Sequence, residues 1–234
     1  QGWVDEVFDD LTELTQKVRS ALEEKRAISI AYHGNIVSLW EHFEKEQIKV
    51  DLGSDQTSLH NPWAGGYYPV GLGYEEANEL MSANPELFKA KVQESLRRHA
   101  SAINKHTERG CYFFDYCNAF LLEASRAGAA IYKDSKGNFS NTPSPIASDD
   151  SPTGEERNAQ DGGWAYPSYV QDILGPMCFD YGFGPFRWVC TSGNTEDLRK
   201  TDQIALRVML RIKATAPTQI RQQMDDNIQW IQEA

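Results

Sequence analysis

The chain has 234 residues, of which 40% are hydrophobic, so it is long enough and apolar enough to bury a substantial core. Its formal net charge of -11 argues against nucleic acid or an anionic membrane as a partner, since both attract clusters of lysine and arginine. No apolar run reaches the roughly 18 residues that a membrane span needs, and the amino terminus lacks the pattern of a signal peptide. We therefore expect a globular protein that binds a small molecule and has neither nucleic acid nor membrane as a partner.

The cysteines give no sign of a metal site. They are Cys111, Cys117, Cys178 and Cys190. Because no two of them form a CxxC pair or a knuckle with histidine, zinc and disulfide interpretations have little support. We expect reduced thiols in a cytoplasmic protein and assign no metal ligands.

Helices and strands alternate in the amino-terminal part. Leucines at helical spacing, with Asp10 and Glu13 at the start, predict a helix over 10–25. Strands are predicted at 27–32 and 48–52, with a second helix between them. This order is typical of a parallel sheet covered by helices.

Two loops follow these predicted strands and are candidate ligand loops. They are HGN at 33–35 and GSDQTSLHNP at 53–62. In parallel sheets ligands bind beyond the carboxyl ends of the strands, which is where both loops would lie. Gly34 suits a turn that approaches a ligand, but an ordinary strand-to-helix turn remains an alternative.

A long helix is predicted at 85–109 and a buried strand at 111–115, followed by a turn at 116–118 that again lies at a strand's carboxyl end. His99 and His106 lie near the apolar stripe of that helix. We interpret them as partly buried helix residues, not as ligands.

The carboxyl-terminal half begins with a polar stretch. Residues 133–163 are rich in serine, proline, glycine and aspartate, which predicts a loosely packed surface insertion. An aromatic and glycine-rich segment follows, and two helices are predicted at 202–212 and 218–234.

The loop after the second predicted strand carries polar side chains. Asp55, Ser58 and His60 have the residue types of a hydrolase triad, but we reject that reading because no GxSxG or comparable elbow is present. Short hydrogen-bonding side chains beside Tyr67 and Tyr68 suit a ligand with ribose, phosphate and amide groups. A turn-rich surface loop is the alternative.

Arg187 lies in the apolar, glycine-rich sequence GPFRW, where an unpaired charge would be costly. A guanidinium binds a carboxylate through two parallel hydrogen bonds, so a carboxylate ligand is a natural partner. An ion pair with an aspartate or glutamate of the chain itself is the alternative.

Several long segments occur in the order found in one enzyme family. They are HGN (33–35), DQTSLHNPWAGGYYPVG (55–71), FFDYCNAFLLEASRAGA (113–129) and YGFGPFRWVCTSG (181–193). Together they resemble urocanate hydratase. The resemblance implies a lyase that adds water to urocanate to give 4-imidazolone-5-propanoate in histidine degradation. It further implies a cytoplasmic homodimer in which tightly bound NAD acts as an electrophile.

The resemblance also implies site residues. The cofactor contacts would be Asn35, Ile36, Gln56, Thr57, Ser58, Leu59, His60, Tyr67, Tyr68 and Tyr116. Arg187 would bind the urocanate carboxylate, and no catalytic residue is assigned. Cys117 stands where the family has a glycine, which would narrow the cofactor pocket. Because the family's glycine-rich dinucleotide loop has no counterpart here, we expect a central fragment of the full-length enzyme.

We expect an α/β fold made of parts of two domains. Residues 1–70 would be the second, carboxyl-terminal half of a Rossmann-like NAD-binding domain, and 71–132 would lead toward the α/β core domain. The surface insertion would occupy 133–163, and 164–234 would be a core-domain segment. The fragment alone is expected to be inactive. Two alternatives stay open: an inert urocanase-derived structural subunit and an ordinary NAD-dependent oxidoreductase.

Overall fold

The computed structural model describes most of the chain. The described residues are 3–55, 61–116, 119–142, 163–177, 179 and 190–233. The chain divides into two units, Gln1–Tyr169 and Val170–Ala234. The finer division at 70, 132 and 163 stays a prediction. Of the described helices, none is both long enough and apolar enough to cross a membrane.

Strands and helices are mixed, as expected of an α/β protein. The strands are β1 (Glu6–Phe8), β2 (Ile30–Tyr32), β3 (Leu52–Asp55), β4 (Tyr112–Asp115), β5 (Tyr132–Lys133) and β6 (Phe139–Ser140). The α-helices are α1 (Leu11–Glu23), α2 (Ile36–Lys45), α3 (Tyr74–Ala83), α4 (Pro85–Glu108), α5 (Ala119–Arg126), α6 (Gly175–Met177), α7 (Thr195–Thr215) and α8 (Thr218–Glu233). A short 3-10 helix spans Pro62–Ala64 and a π-helix spans Tyr169–Leu174.

The amino-terminal helix prediction is confirmed as α1. Asp10 Oδ1 accepts hydrogen bonds from the backbone N–H groups of Thr12 at 2.7 Å and Glu13 at 2.9 Å, which satisfies two donors at the helix start. The predicted strand at 27–32 is reduced to the three residues of β2. Its parallel partner is β1, which sequence reasoning did not predict.

The strand predicted at 48–52 is wrong in position. Ile48 is buried, but the strand begins only at Leu52 and ends at Asp55. The alternating pattern of IKVDL arises because Ile48 is buried and Val50 half-buried, although both lie before the start of β3. Pairing with β4 sets the true strand, because Leu52 to Asp55 are in parallel register with Tyr112 to Asp115.

The described strands do not form the single parallel sheet that the sequence predicted. β1 pairs with β2 and β3 pairs with β4, both in parallel, as two separate two-stranded sheets. The two middle strands pair with strands on opposite sides in the sequence. β2 pairs with β1, which precedes α1, whereas β3 pairs with β4, which follows α4. The loop at 33–35 and the residues after β3 therefore follow strands of different sheets.

Helix α4 lies in the core of the first unit. Its buried apolar side chains include Phe88, Val92, Leu96 and Ile103, as the helical period predicted. His99 and His106 are 0% and 2% exposed, so the expectation of partly buried histidines was wrong. The cause is packing on both sides of α4, where Trp40 of α2 contacts the His106 ring and Phe120 of α5 contacts the His99 ring.

The described part of the predicted insertion contains a small hairpin. β5 and β6 pair in antiparallel orientation, and Tyr132 also bridges to Trp164. The side chains of 133–142 are half-buried or exposed, with Phe139 packed against the core. The hairpin itself was not foreseen, and residues 143–162 of the predicted insertion lie outside the described ranges.

The second unit contains two long helices. Asn194 caps α7 by accepting a hydrogen bond from the Glu196 N–H at 2.8 Å, so this helix begins seven residues before the predicted 202. α8 agrees with the prediction of 218–234. The two helices pack through a buried cluster of Ala205, Met209, Met224 and Ile231.

Candidate functional site at the carboxyl ends of β3 and β4

Three chain segments lie side by side at one edge of the β3–β4 sheet. Asp55 and Asp115 are register partners at the carboxyl ends of the two strands, and Ser168 forms a parallel bridge with Asp115. Their exposed fractions are 8%, 1% and 1%. The backbone completes the edge, since Tyr116 N donates to Asp55 O at 3.1 Å and Asp115 N donates to Pro167 O at 3.0 Å.

Asp115 connects the strand to the following helix. Its Oδ2 accepts a hydrogen bond from the backbone N–H of Leu121, in the first turn of α5, at 2.9 Å. A buried carboxylate at a helix amino terminus is stabilised by the free N–H groups and the helix dipole. This contact ties the carboxyl end of β4 to the first turn of α5.

Aromatic rings lie directly after the edge. Tyr116 follows Asp115 and Tyr169 follows Ser168, and their rings stack with 4.7 Å between centroids. Phe114 packs against Tyr169 with 5.9 Å between centroids. Tyr169 is also the first residue of the π-helix, a geometry that is frequent at functional sites. Half-buried aromatic faces of this kind suit a planar ligand.

Tyr67 is buried beside this edge and is bound to helix α4. Its hydroxyl lies 3.2 Å from His99 Nδ1, and the two rings are stacked at an interplanar angle of 27°. Burial, and secondarily the charge of Asp55, raises the pKa of Tyr67 well above its usual range. Tyr67 is therefore a neutral phenol near the Asp55 carboxylate.

His99 is a neutral imidazole. Complete burial lowers its pKa from 6.5 to about 3, because the charged ring cannot be solvated there. Among the described residues, its Nε2 has no hydrogen-bond partner.

The loop at 33–35 meets the segment that carries Tyr67 and Tyr68. Asn35 caps α2 by accepting from Val37 N at 2.9 Å, and its Nδ2 donates to the Tyr68 carbonyl at 2.9 Å. A Cβ at Gly34 would lie 2.3 Å from the outer end of the Tyr32 ring, so this half-buried side chain would have to shift to admit any larger residue. Since the side chain of Asn35 is engaged on both ends, a ligand contact here falls to backbone groups at the start of α2.

Two pairs of positions in the predicted site are in contact. Asn35 contacts Tyr68, and the carbonyl of Asp55, the residue before Gln56, accepts a hydrogen bond from the Tyr116 N–H. The hydroxyl of Tyr68 donates to Asn78 Oδ1 at 3.0 Å, so it is held by α3. Ile36 is exposed at the first position of α2.

Other predicted residues lie outside the described ranges. They are Gln56, Thr57, Ser58, Leu59, His60, Cys117 and Arg187. Convergence of Gln56, Tyr67 and Tyr116 on one pocket therefore stays a prediction, as does every assigned ligand contact. The rejected triad of Asp55, Ser58 and His60 likewise extends into residues outside those ranges.

Sequence reasoning missed two residues of this region, Asp115 and Tyr169, and the contact made by a third, His99. Asp115 carried a usable signal, since it is a carboxylate at the end of a buried strand that precedes a helix. Tyr169 carried none, because its contact with Tyr116 joins positions 53 apart in a segment without periodicity. His99 was noticed, but its partner Tyr67 could not be read from spacing.

The side chains at this edge can form hydrogen bonds and stack against rings. Carboxylates, a backbone edge and tyrosines suit the hydroxyl, amide and ring groups of a polar cofactor, and the carboxyl ends of parallel strands are the usual place for one. Within the described ranges, no group of three or more histidine, cysteine, aspartate or glutamate side chains could hold a metal ion.

Comparison with known proteins agrees with the resemblance seen in the motifs. A family model described as the urocanase Rossmann-like domain matches residues 1–173, and one described as the urocanase C-terminal domain matches 176–234. The chain is 50% identical to a probable urocanate hydratase of Dictyostelium discoideum and 47% identical to a urocanate hydratase of Homo sapiens. Both alignments cover 100% of this chain and 32% of the relative, so the chain spans about a third of the length of these curated relatives.

Proposed function

The chain belongs to the urocanase family, and we propose on this premise that it is part of a urocanate hydratase. The enzyme would be a hydro-lyase that adds water to urocanate and yields 4-imidazolone-5-propanoate. The observation that carries the proposal is the match of two urocanase models, which together account for nearly the whole chain. Histidine degradation in the cytoplasm, by a homodimer, is the setting that we propose for the whole protein.

NAD is the proposed cofactor. The residues that would hold it are Asn35, Ile36, Gln56, Thr57, Ser58, Leu59, His60, Tyr67, Tyr68 and Tyr116. The fit is supported by the buried polar edge at Asp55 and Asp115 and by the free backbone groups at the start of α2, which suit ribose hydroxyls and phosphate oxygens. When bound, NAD supplies an electron-poor nicotinamide ring that can accept electron density from the substrate imidazole.

The protein's own contribution to this chemistry is binding and orientation. Arg187 is proposed to bind the urocanate carboxylate through two parallel hydrogen bonds, which fixes the substrate in position and in plane. Tyr116, stacked on Tyr169, and Tyr67, held by His99, would present rings in fixed orientations beside the cofactor.

The proposal is tested on the complete enzyme that carries this sequence. Purified protein is mixed with urocanate, the loss of the conjugated substrate's ultraviolet absorbance is followed, and the cofactor released on denaturation is identified by chromatography. We expect loss of urocanate with NAD recovered unchanged. Accumulation of NADH would favour an ordinary oxidoreductase, and absence of any turnover would favour an inert structural subunit.

A substitution at Arg187 tests the proposed binding of the urocanate carboxylate separately from the binding of NAD. Arg187→Lys keeps the positive charge but cannot form the two-pronged contact, so the KM for urocanate should rise by roughly ten- to a hundredfold. NAD content should stay at the wild-type level, since this residue is assigned to substrate. Equal loss of NAD would show that the assignment to urocanate is wrong.

A further inference from the structure

We infer that His99 is a positioning residue for the cofactor pocket, which holds the proposed NAD contact Tyr67 in place through a buried hydrogen bond. The inference rests on the proposed function, because Tyr67 is a cofactor contact only in that proposal. His99 itself belongs to helix α4 and is assigned no contact with NAD or urocanate.

The contact between Tyr67 and His99 is buried. Tyr67 is 3% exposed and His99 is 0% exposed, and 3.2 Å separates the Tyr67 hydroxyl from His99 Nδ1. The Phe120 ring meets His99 edge to face, with 5.0 Å between centroids. Water has no access to the hydrogen bond, so no solvent molecule competes with either partner.

Apolar packing alone would not require a histidine at this position. Its Nε2 is buried without a hydrogen-bond partner in the described part of the chain, and an unsatisfied buried polar atom costs free energy that an apolar side chain would avoid. The contact through Nδ1 is therefore the feature that distinguishes His99 from a leucine or methionine of similar volume.

Helix α4 holds the segment after the 3-10 helix at two points on one face. Ser95, one turn before His99, accepts a hydrogen bond from Val70 N at 2.9 Å, while His99 contacts Tyr67. Residues four apart lie on the same face of a helix, so these two polar side chains form a short stripe in an apolar surface. The stripe fixes both the backbone at Val70 and the ring of Tyr67.

The consequence for the pocket is geometric. Asn35 binds the neighbouring Tyr68 carbonyl from the side of α2, so the tyrosine pair is held from both sides. Loss of the His99 contact would free the Tyr67 hydroxyl and ring from one of these restraints. Affinity for NAD should then fall without any direct contact having been removed.

The test compares two polar replacements in the complete enzyme. His99→Asn keeps a hydrogen-bonding atom near the position of Nδ1, whereas His99→Gln moves that atom to the far end of the side chain. We expect His99→Gln to weaken NAD binding by roughly three- to tenfold, the effect of one hydrogen bond, and His99→Asn to restore most of the loss. NAD affinity is measured by titrating the cofactor-free protein.

A double-mutant cycle with Tyr67→Phe makes the test specific. If His99 acts through the Tyr67 hydroxyl, His99→Gln should change NAD affinity less than about twofold once that hydroxyl is absent. His106→Asn is the matched control, because it alters another buried histidine of α4 that contacts the Trp40 carbonyl. It should lower thermal stability and leave NAD affinity unchanged.

The outcomes separate the inference from the proposed function. If wild-type enzyme binds no NAD, the proposed function fails and this inference with it. If wild-type enzyme binds NAD but His99→Gln binds it equally well, or if the effects of His99→Gln and Tyr67→Phe simply add, the inference alone is overturned. Should His99→Gln not fold, His99→Met, which also lacks the hydrogen bond, replaces it in every comparison.

Discussion

The rings of Tyr116 and Tyr169 stack almost in parallel, with 4.7 Å between their centroids and 7° between their planes. The two residues follow Asp115 and Ser168, which are themselves bridged at the edge of the β3–β4 sheet. The stack thus extends the strand pairing by one residue through side chains. It holds Tyr116 in one orientation at the point where a cofactor is proposed to bind.

Removal of the Tyr169 ring should loosen this arrangement. An aromatic pair of this kind contributes about 0.5–1.5 kcal/mol beyond its buried area, so Tyr169→Ala should weaken NAD binding by roughly two- to tenfold. Tyr169→Phe keeps the ring and should bind NAD more tightly than Tyr169→Ala does. Tyr112→Ala, at an exposed position of β4, is the control. Unchanged affinity in Tyr169→Ala would exclude a role for the stack in the pocket.

Asn35 allows the helix cap and the contact with Tyr68 to be separated. Asn35→Asp keeps an oxygen for Val37 N but replaces the donor to the Tyr68 carbonyl with a second oxygen, which would repel it. We expect stability to fall by about 1–2 kcal/mol and hydrogen exchange to rise in 67–70, with α2 still protected. Asn84→Asp, which caps α4 through Oδ1, should be neutral or slightly stabilising. Equal behaviour of the two variants would contradict the claim that the Nδ2 contact matters.

Acid should weaken the first unit through His99. The unfolded chain binds a proton at this residue below about pH 6.5, whereas the folded chain does so only near pH 3, so stability is lost as the pH falls through that interval. Between pH 7 and pH 5 the loss should be about 2 kcal/mol. It is measured as reduced hydrogen-exchange protection of α4 peptides.

His99→Gln cannot titrate and should remove that part of the acid dependence. Burial also lowers the pKa of His106, so some dependence on pH should remain in this variant. An α4 helix whose protection falls equally in wild type and His99→Gln would mean that His99 does not carry the predicted change.

Gly53 should not tolerate a side chain. A Cβ at this position would lie 2.7 Å from the Trp40 ring and 3.2 Å from that of Phe113, and both rings are buried. Gly53→Ala should therefore destabilise the first unit by about 1–3 kcal/mol through overpacking. Gly73→Ala, whose Cβ would meet only Glu76 at 3.6 Å, is the control and should cost less than about 1 kcal/mol. A thermal unfolding midpoint unchanged in Gly53→Ala would contradict this packing.

Helices whose signals lie within a short stretch of sequence could be predicted. α1 was predicted from the Asp10 cap and the leucine spacing, and α4 from its period, because each signal lies within the element itself. β1 and β3 were missed or displaced because strands of three or four residues are defined by their partners. No local pattern records that Leu52 will pair with Tyr112, 60 positions away.

For the candidate site, the residues could be predicted from the sequence but most of their contacts could not. Asn35, Tyr67, Tyr68 and Tyr116 came from motifs, which name residues without giving their contacts. The contacts that organise them, from His99 to Tyr67 and from Tyr169 to Tyr116, join distant segments and could not be read from spacing. Burial of His99 likewise depends on α5, which supplies the Phe120 ring.

The last prediction is that residues 1–234 alone do not turn over urocanate. The proposed reaction would require urocanate and the nicotinamide ring of NAD to be held in fixed relative positions, a positioning effect that can contribute several kcal/mol. This chain spans 32% of the curated relatives and contains no GxGxxG sequence to receive the NAD pyrophosphate at a helix amino terminus. Arg187 could still bind the carboxylate of urocanate, but the substrate would not be held beside a firmly bound cofactor.

The comparison is between the 234-residue chain and the complete enzyme, each assayed by loss of urocanate absorbance in the presence of added NAD. Circular dichroism and hydrogen-exchange protection of α4 serve as the control that the shorter chain is folded, so that lack of turnover is not simply lack of structure. We expect activity only in the complete enzyme, with weak or undetectable NAD binding by the shorter chain. Turnover by the shorter chain near the complete enzyme's rate would mean that all essential groups lie within these residues, and the catalytic residues would then have to be sought among its own side chains.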